Sequence, residues 1–168
     1  MASTRLTSDR LRLDPLAPGD ADEMVEVLAG DDLYTFIGGS APTLPQLRAQ
    51  YARQVAGGSP DGLQEWHNWI IRRQADGRAV GYVQATIMDD GRRAEIAWVV
   101  GSLWQGQGYA SEAARAMVAW LGSRGVVRVQ AHIHPDHAAS ASVAHRAGLA
   151  PTSHFDDGEQ LWQHDAPP

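Results

Sequence analysis

The chain contains no cysteine and no lysine. Without a thiol there is no disulfide, no thiolate nucleophile and no thiolate-ligated zinc or iron–sulfur centre. Without a lysine amine, Schiff-base chemistry and the lysine of a Walker-type phosphate loop are also excluded. All 14 basic residues are therefore arginine, against 20 acidic ones, and the formal net charge is -6 with a pI near 5.5. That balance argues against nucleic acid as a partner, because sequence-independent affinity for it comes from clustered positive charge. An anionic ligand would need a local site. Apolar runs are short as well. None approaches the roughly 20 residues of a membrane span, and Met1-Ala-Ser-Thr-Arg5 leads into alternating residues instead of a signal-type apolar stretch. A cytoplasmic protein with no membrane partner is expected.

What remains is ordinary for a globular protein. Of 168 residues, 43% are hydrophobic and 20% charged, enough to bury a core and too apolar for an extended disordered chain. The length suits a single domain over residues 1–168.

Periodicity orders the chain. Ser8-Asp-Arg10-Leu-Arg12-Leu13 alternates with period two and predicts a first strand. Asp20 with Glu23 three residues on reads as an N-cap and capping-box partner for a helix over Ala21 to Ala29. A second helix is predicted from about Leu44 to Ala56 on the spacing of Leu47, Tyr51 and Val55. Three strands follow, at Trp69–Ile71, Ala79–Met88 and Ala94–Val100, joined through Asp76-Gly77 and Asp90-Gly91 as an antiparallel meander. A long helix is expected after Trp104, marked by Ala110, Ala113, Ala114, Met117 and Leu121. Val126 to Ile133 predicts a strand and Ala138 to Ala147 a short helix, and Asp156-Asp157-Gly158 predicts a closing hairpin.

Gln105-Gly106-Gln107-Gly108-Tyr109-Ala110 lies between a predicted strand and the start of the long helix. Glycines there permit a tight turn with inward N–H groups, and the helix adds its own free amides and positive dipole end. Such a loop binds a pyrophosphate without any side-chain cation. Its plain alternative is a tight strand-to-helix turn with no ligand. A dinucleotide-binding fingerprint is a poor alternative, because it needs a parallel βαβ unit and an acid about 20 residues on, and neither is indicated.

With the loop, three other stretches resemble the GNAT N-acetyltransferases, and within them the RimJ/RimL-like branch that acetylates ribosomal-protein N-termini. The family's loop signature is matched by Gln105, Gly108 and Ala110. The other stretches are Ser8 to Leu13, Ala94-Glu95-Ile96-Ala97-Trp98-Val99, and Pro135-x-x-Ala-Ala-Ser140 running to Gly148-Leu149. The resemblance implies an α/β fold with a mixed, mostly antiparallel sheet of six to seven strands flanked by four helices. It implies acetyl-CoA as acyl donor, an amine as acceptor, and direct attack in a ternary complex. The strand before the loop splays from its neighbour in that family and pairs with pantetheine, a role that falls here on Trp98, Val99 and Val100. Gln105, Gly106, Gln107, Gly108, Tyr109, Ala110 and Ser111 would hold the pyrophosphate. The chain would act as a monomer or homodimer.

Amine attack needs a neutral nucleophile, so a base must take a proton and an acid should serve the leaving thiolate. Glu95 is the candidate base, on the face shared by Ala97 and Val99 by alternation. Its plain alternative is an exposed strand carboxylate or one paired with arginine. Ser140 is the candidate acid, at the branch's serine position near the thiol; otherwise it is a helix serine bonded to backbone. The family's tyrosine acid is absent, Ala144 standing in its place. His137 replaces the asparagine that usually contacts pantetheine, and Leu149 replaces the usual phenylalanine.

Two other readings compete. His132-Ile-His134-Pro-Asp136-His137 matches locally the zinc-binding His-x-His-x-Asp-His pattern of metallo-β-lactamase-like hydrolases. That fold carries the motif early in a longer chain, however, whereas only 31 residues follow His137, and no metal is expected. The alternative is a non-catalytic acyl-CoA-binding regulatory module. Trp66 and Trp69 could wall an acceptor site, although tryptophans in a strand more often pack the core.

Overall fold

Asp-Gly pairs close three hairpins in the computed structural model of the chain, which describes residues 3–165. Gly77 and Gly91 take the left-handed backbone that an L side chain resists, at φ +71° and +84°. Strands β3 (Glu65–Arg73), β4 (Ala79–Met88) and β5 (Arg93–Val100) thereby form the expected meander, in register at Trp69, Val83 and Trp98. Asp157 and Gly158 turn with φ of 51° and 81° between β7 (Ala150–Asp156) and β8 (Glu159–Asp165), the geometry of a two-residue hairpin.

The sheet has eight strands in the order β1-β2-β3-β4-β5-β6-β8-β7. The expected six to seven fall short by one because the amino-terminal run divides into β1 (Leu6–Thr7) and β2 (Leu11–Pro15). The break falls at Arg10, whose backbone N–H and guanidinium both turn to Glu112. Helix α1 (Ala21–Val27) is shorter than expected and follows a 3-10 turn, and α2 spans Leu44–Gln54. Asp20 and Glu23 do not form the expected capping box on α1. Arg72 draws both side chains to itself, at 3.0 and 2.7 Å.

Every strand pair is antiparallel except β5 with β6 (Arg128–Ile133). A parallel pair needs a crossover, here α3 (Tyr109–Ser123). Helices α3 and α4 (Ala138–Arg146) cover one face of the sheet, where Val83, Ala85, Ile96, Ala113, Met117 and Leu121 are buried together. Helices α1 and α2 cover the other, over Met24, Leu47, Tyr51 and Ile70.

The parallel pairing is short. It runs Arg93 to Arg128, Ala94 to Val129 and Glu95 to Gln130, then stops, although β5 continues to Val100 and β6 to Ile133. Beyond the fork β5 stays with β4 as far as Gly81 opposite Val100, while β6 follows β8. Glycine is required at 81, where a Cβ would collide with the carbonyl oxygen of Val99. The centre of the sheet is thus split.

Candidate functional site

Glu95 is the last paired residue of β5 before the fork. Opposite it and its neighbours on β4 stand Thr86, Gln84 and Tyr82, so Glu95, Ala97 and Val99 share the face covered by α1 and α2, as alternation predicts. Its carboxylate is held at both oxygens. Oε2 accepts from Gln130 Nε2 at 2.8 Å, and Oε1 lies 2.7 Å from His132 Nδ1. His132 Nε2 in turn lies 3.2 Å from Asp156 Oδ2, and His154 Nε2 reaches the same oxygen at 3.2 Å. Burial alone would depress the His132 imidazole, but the hydrogen bonds and charges of Glu95 and Asp156 outweigh it and raise its pKa above the usual value.

The loop after β5 carries Gly106 and Gly108 at φ +80° and +81°, and Gly108 opens α3 with no side-chain cap on the helix. First-turn amides of an uncapped helix point outward for an anion to use. Gln105 Nε2 donates to Val100 O at 3.0 Å and ties the loop to the free end of β5. Tyr109 and Ser111 are buried, so these two offer a ligand their backbone and not their side chains. Arg10 braces the loop from below. It donates to Gln107 O at 2.8 Å and to Glu112 at 2.7 Å, and its guanidinium sits 4.7 Å over the Tyr109 ring. Burial would raise the Glu112 carboxyl, but Ser8 and Arg10 hold it below the usual carboxylate range.

Ser140 lies in the first turn of α4, on the α3 side of the sheet, and is half-buried. Its amide donates to His137 Nδ1 at 3.0 Å, so His137 is the cap of α4. Burial pushes the pKa of the His137 imidazole down, and the Ser140 amide makes Nδ1 the acceptor. Glu95 and Ser140 therefore belong to opposite faces of the sheet, with the fork between β5 and β6 opening just beyond Glu95. Phe36, from the connection between α1 and α2, closes over the end of β6 with its ring 4.5 Å from His137 and 5.1 Å from His134. The imidazoles of the hydrolase-like motif do not converge. His132 faces Glu95, while His134 and His137 each accept from a backbone amide. Among the described residues, no three His, Asp or Glu side chains are grouped to hold a metal ion. Ala144 and Leu149 are both buried core residues.

On the Glu95 face a cavity of about 180 Å³ opens between the sheet and α2. Its polar lining comprises Tyr34, Tyr51, Tyr82, Asn68, Gln84 and Gln50, among others, and Val99 of β5 forms part of its wall. Trp69 also lines it while lying fully buried, and Trp66 instead donates to Gln64 at 3.0 Å.

Residues 10–150 match the acetyltransferase (GNAT) domain. The chain belongs to that family. In fold it is similar to a GNAT-family acetyltransferase from Bacillus anthracis, with a TM-score of 0.82 at 18% identity over 96% of this chain and 98% of that one. RimL, a ribosomal-protein alpha-N-acetyltransferase solved with coenzyme A, superimposes with a TM-score of 0.81 at 17% identity, covering 97% and 98% of the two chains. An acetyl transferase from Salmonella typhimurium that modifies the N-terminal serine of a 50S ribosomal subunit protein gives 0.80 at 16% identity, over 98% and 100%. No curated protein matches the chain. Sequence reasoning singled out the loop, the splayed strand, Glu95 and Ser140 of this GNAT domain. It missed Arg10 and Phe36, whose partners are distant in sequence, and the place of Tyr51 in the cavity wall. The alternation of His132 with Gln130 opposite a carboxylate-bearing strand was the one available signal for the Glu95 clamp.

Proposed function

We propose that the chain works as one acetyl-CoA-dependent N-acetyltransferase domain, moving an acetyl group to a primary amine of a protein N-terminus or small molecule by direct attack in a ternary complex. The observation that carries this reading is the fork. Pairing of β5 with β6 ends at Glu95 and Gln130, and the freed edge of β5 leads through a 3-10 turn and the glycine loop to the uncapped start of α3. The backbone of Trp98 to Val100 pairs with the pantetheine arm, and the amides from Gln105 to Ser111 hold the pyrophosphate, a fit that needs no lysine. Coenzyme A bound to RimL supports the same donor here.

In the reaction the amine nitrogen bonds to the thioester carbonyl carbon and the carbon–sulfur bond breaks. Glu95 accepts the proton lost by the nitrogen, and Ser140 gives one to the departing thiolate and recovers it from solvent. His132 is a positioning residue. It fixes the Glu95 carboxylate and passes the proton outward to Asp156, which lies at the exposed β7–β8 hairpin. Calorimetric titration with acetyl-CoA, followed by a free-thiol assay over a panel of amines, tests the reading. Saturable binding and amine-dependent thiol release are expected; the absence of binding would overturn it.

A further inference from the structure

We infer that the acceptor entering this cavity is a primary amine carried on an uncharged, largely apolar body of about one ring, with a hydrogen-bonding group at the end remote from the amine. This deepens the acetyltransferase reading and rests on it.

Three observations lead there. The first is charge. None of the residues lining the cavity is Asp, Glu, Arg or His. A polyamine or amino-sugar carries several ammonium groups, and each would have to leave water with no carboxylate to meet it, a heavy cost. The phenols do not change that balance with pH. Burial pushes Tyr82 up to about 12 and Tyr51 further still, so both remain neutral donors.

The second is size and surface. About 180 Å³ is available, and a cavity of roughly 150 Å³ accepts one benzene ring. Leu16, Leu28, Leu33, Pro42, Leu47 and Val99 supply apolar wall, which suits a ring or a short branched chain and rejects an extended polar one.

The third is Tyr51. This residue of α2 is 4% exposed, and its hydroxyl is buried without a hydrogen-bond partner among the described residues. Tyr34, by contrast, donates to Leu28 O at 2.7 Å. A buried polar atom left unpaired calls for an explanation, and Tyr51 is part of the cavity wall. Val99, on the splayed strand, lines the same cavity and stands opposite Tyr82 of β4, which lines it too. An acceptor with its amine toward Val99 and the fork brings its far end to Tyr51, whose hydroxyl is closed to water in this structure. A shift of that side chain toward the cavity lets a hydroxyl or carbonyl complete the missing bond.

The test begins with calorimetry of the intact protein and acetyl-CoA, then compares initial rates of thiol release with tyramine, phenethylamine, spermidine, kanamycin and a peptide beginning with tyrosine. Tyramine or the peptide is expected to exceed spermidine and kanamycin in kcat/KM by at least about tenfold, the two leading arms separating a free amine from a chain terminus. Tyr51→Phe removes an unpaired hydroxyl, so its melting temperature is expected to match or exceed that of the parent. In that variant the preference for tyramine over phenethylamine should fall about fivefold, the worth of one neutral hydrogen bond. Binding of acetyl-CoA with spermidine or kanamycin preferred, with none of the amines turned over, or with the tyramine preference intact in Tyr51→Phe, would overturn the inference alone. Failure to bind acetyl-CoA would overturn the transferase reading and this inference with it.

Discussion

Glu95 Oε1 lies 2.7 Å from His132 Nδ1 across the fork of the sheet, although the two strands are no longer paired through their backbones at His132. A side-chain clamp thus replaces the ladder at the point where the strands part. Gln130 holds the second oxygen of the same carboxylate, so Glu95 has a single orientation.

Glu95→Gln keeps the shape and removes the base. Turnover is expected to fall by about 10²- to 10⁴-fold, with the dissociation constant for acetyl-CoA unchanged. Steady-state rates of thiol release and calorimetry separate the two quantities, and equal turnover across the pH profile would remove Glu95 from the role. Ser140→Ala should cost less, about tenfold or under, because a thiolate is a good leaving group and departs with little help from an acid.

His132 tests the clamp through pH. Its pKa is raised in the folded state by Glu95 and Asp156 against the pull of burial. A raised histidine contributes stability that is fully present below its unfolded value of about 6.5 and is lost as pH climbs through the folded one. His67 has the opposite sign. It is buried and depressed, so its contribution is present above about 6.5 and lost as pH falls. The loss of melting temperature on going from pH 6 to 8.5 should accordingly be smaller in His132→Gln than in the parent. The same variant should move the acid limb of the rate profile, which a merely structural histidine would leave in place.

Gly108→Ala addresses the loop. The residue sits at φ +81° at the start of α3, and a Cβ there would lie 3.3 Å from Arg10 Nη2. The left-handed backbone costs an alanine about 1–2 kcal/mol, readable by urea denaturation. Acetyl-CoA affinity is expected to weaken at least about tenfold as the helix start shifts. Unchanged affinity would dissociate this loop from the pyrophosphate.

Arg72→Met isolates the fold from the chemistry. Its guanidinium, 15% exposed, meets Asp20 at 3.0 Å, Glu23 at 2.7 Å and Asp14 at 3.5 Å. Removing it strands partly buried carboxylates and should destabilise the protein by about 3 kcal/mol. Glu23 is also held below the usual carboxylate range, against burial, by the Ala79 amide and Arg72. The stability it contributes is present above the unfolded value and is lost as pH falls through the folded one, so the gap between parent and variant should narrow in acid.

Much of this architecture was legible because its signals are local. The Asp-Gly turns, the alternation of Val83, Ala85 and Ile87, and the i, i+4 spacing of Leu47 and Tyr51 each reflect backbone or facial preferences within a few residues. The capping reading of Asp20 and Glu23 failed for the same reason. Arg72, about 50 residues on, competes for both carboxylates, and spacing along α1 cannot register it. His137 was legible as a substitution in a family pattern and as part of a histidine motif; that it caps α4 through Nδ1 follows from the turn after β6.

The sequence by itself determined the order of elements, the hairpins, the glycine loop at the mouth of α3 and the face on which Glu95 lies, since each depends on neighbours in the chain. Only the tertiary structure decided where β5 and β6 part, that His132 grips Glu95, that Arg10 braces the loop, and that Tyr51 lines an uncharged cavity with its hydroxyl unpaired. Those relationships join residues 35 to 97 positions apart or depend on the packing of a helix against a sheet. They arise from long-range competition for partners, which no periodicity encodes.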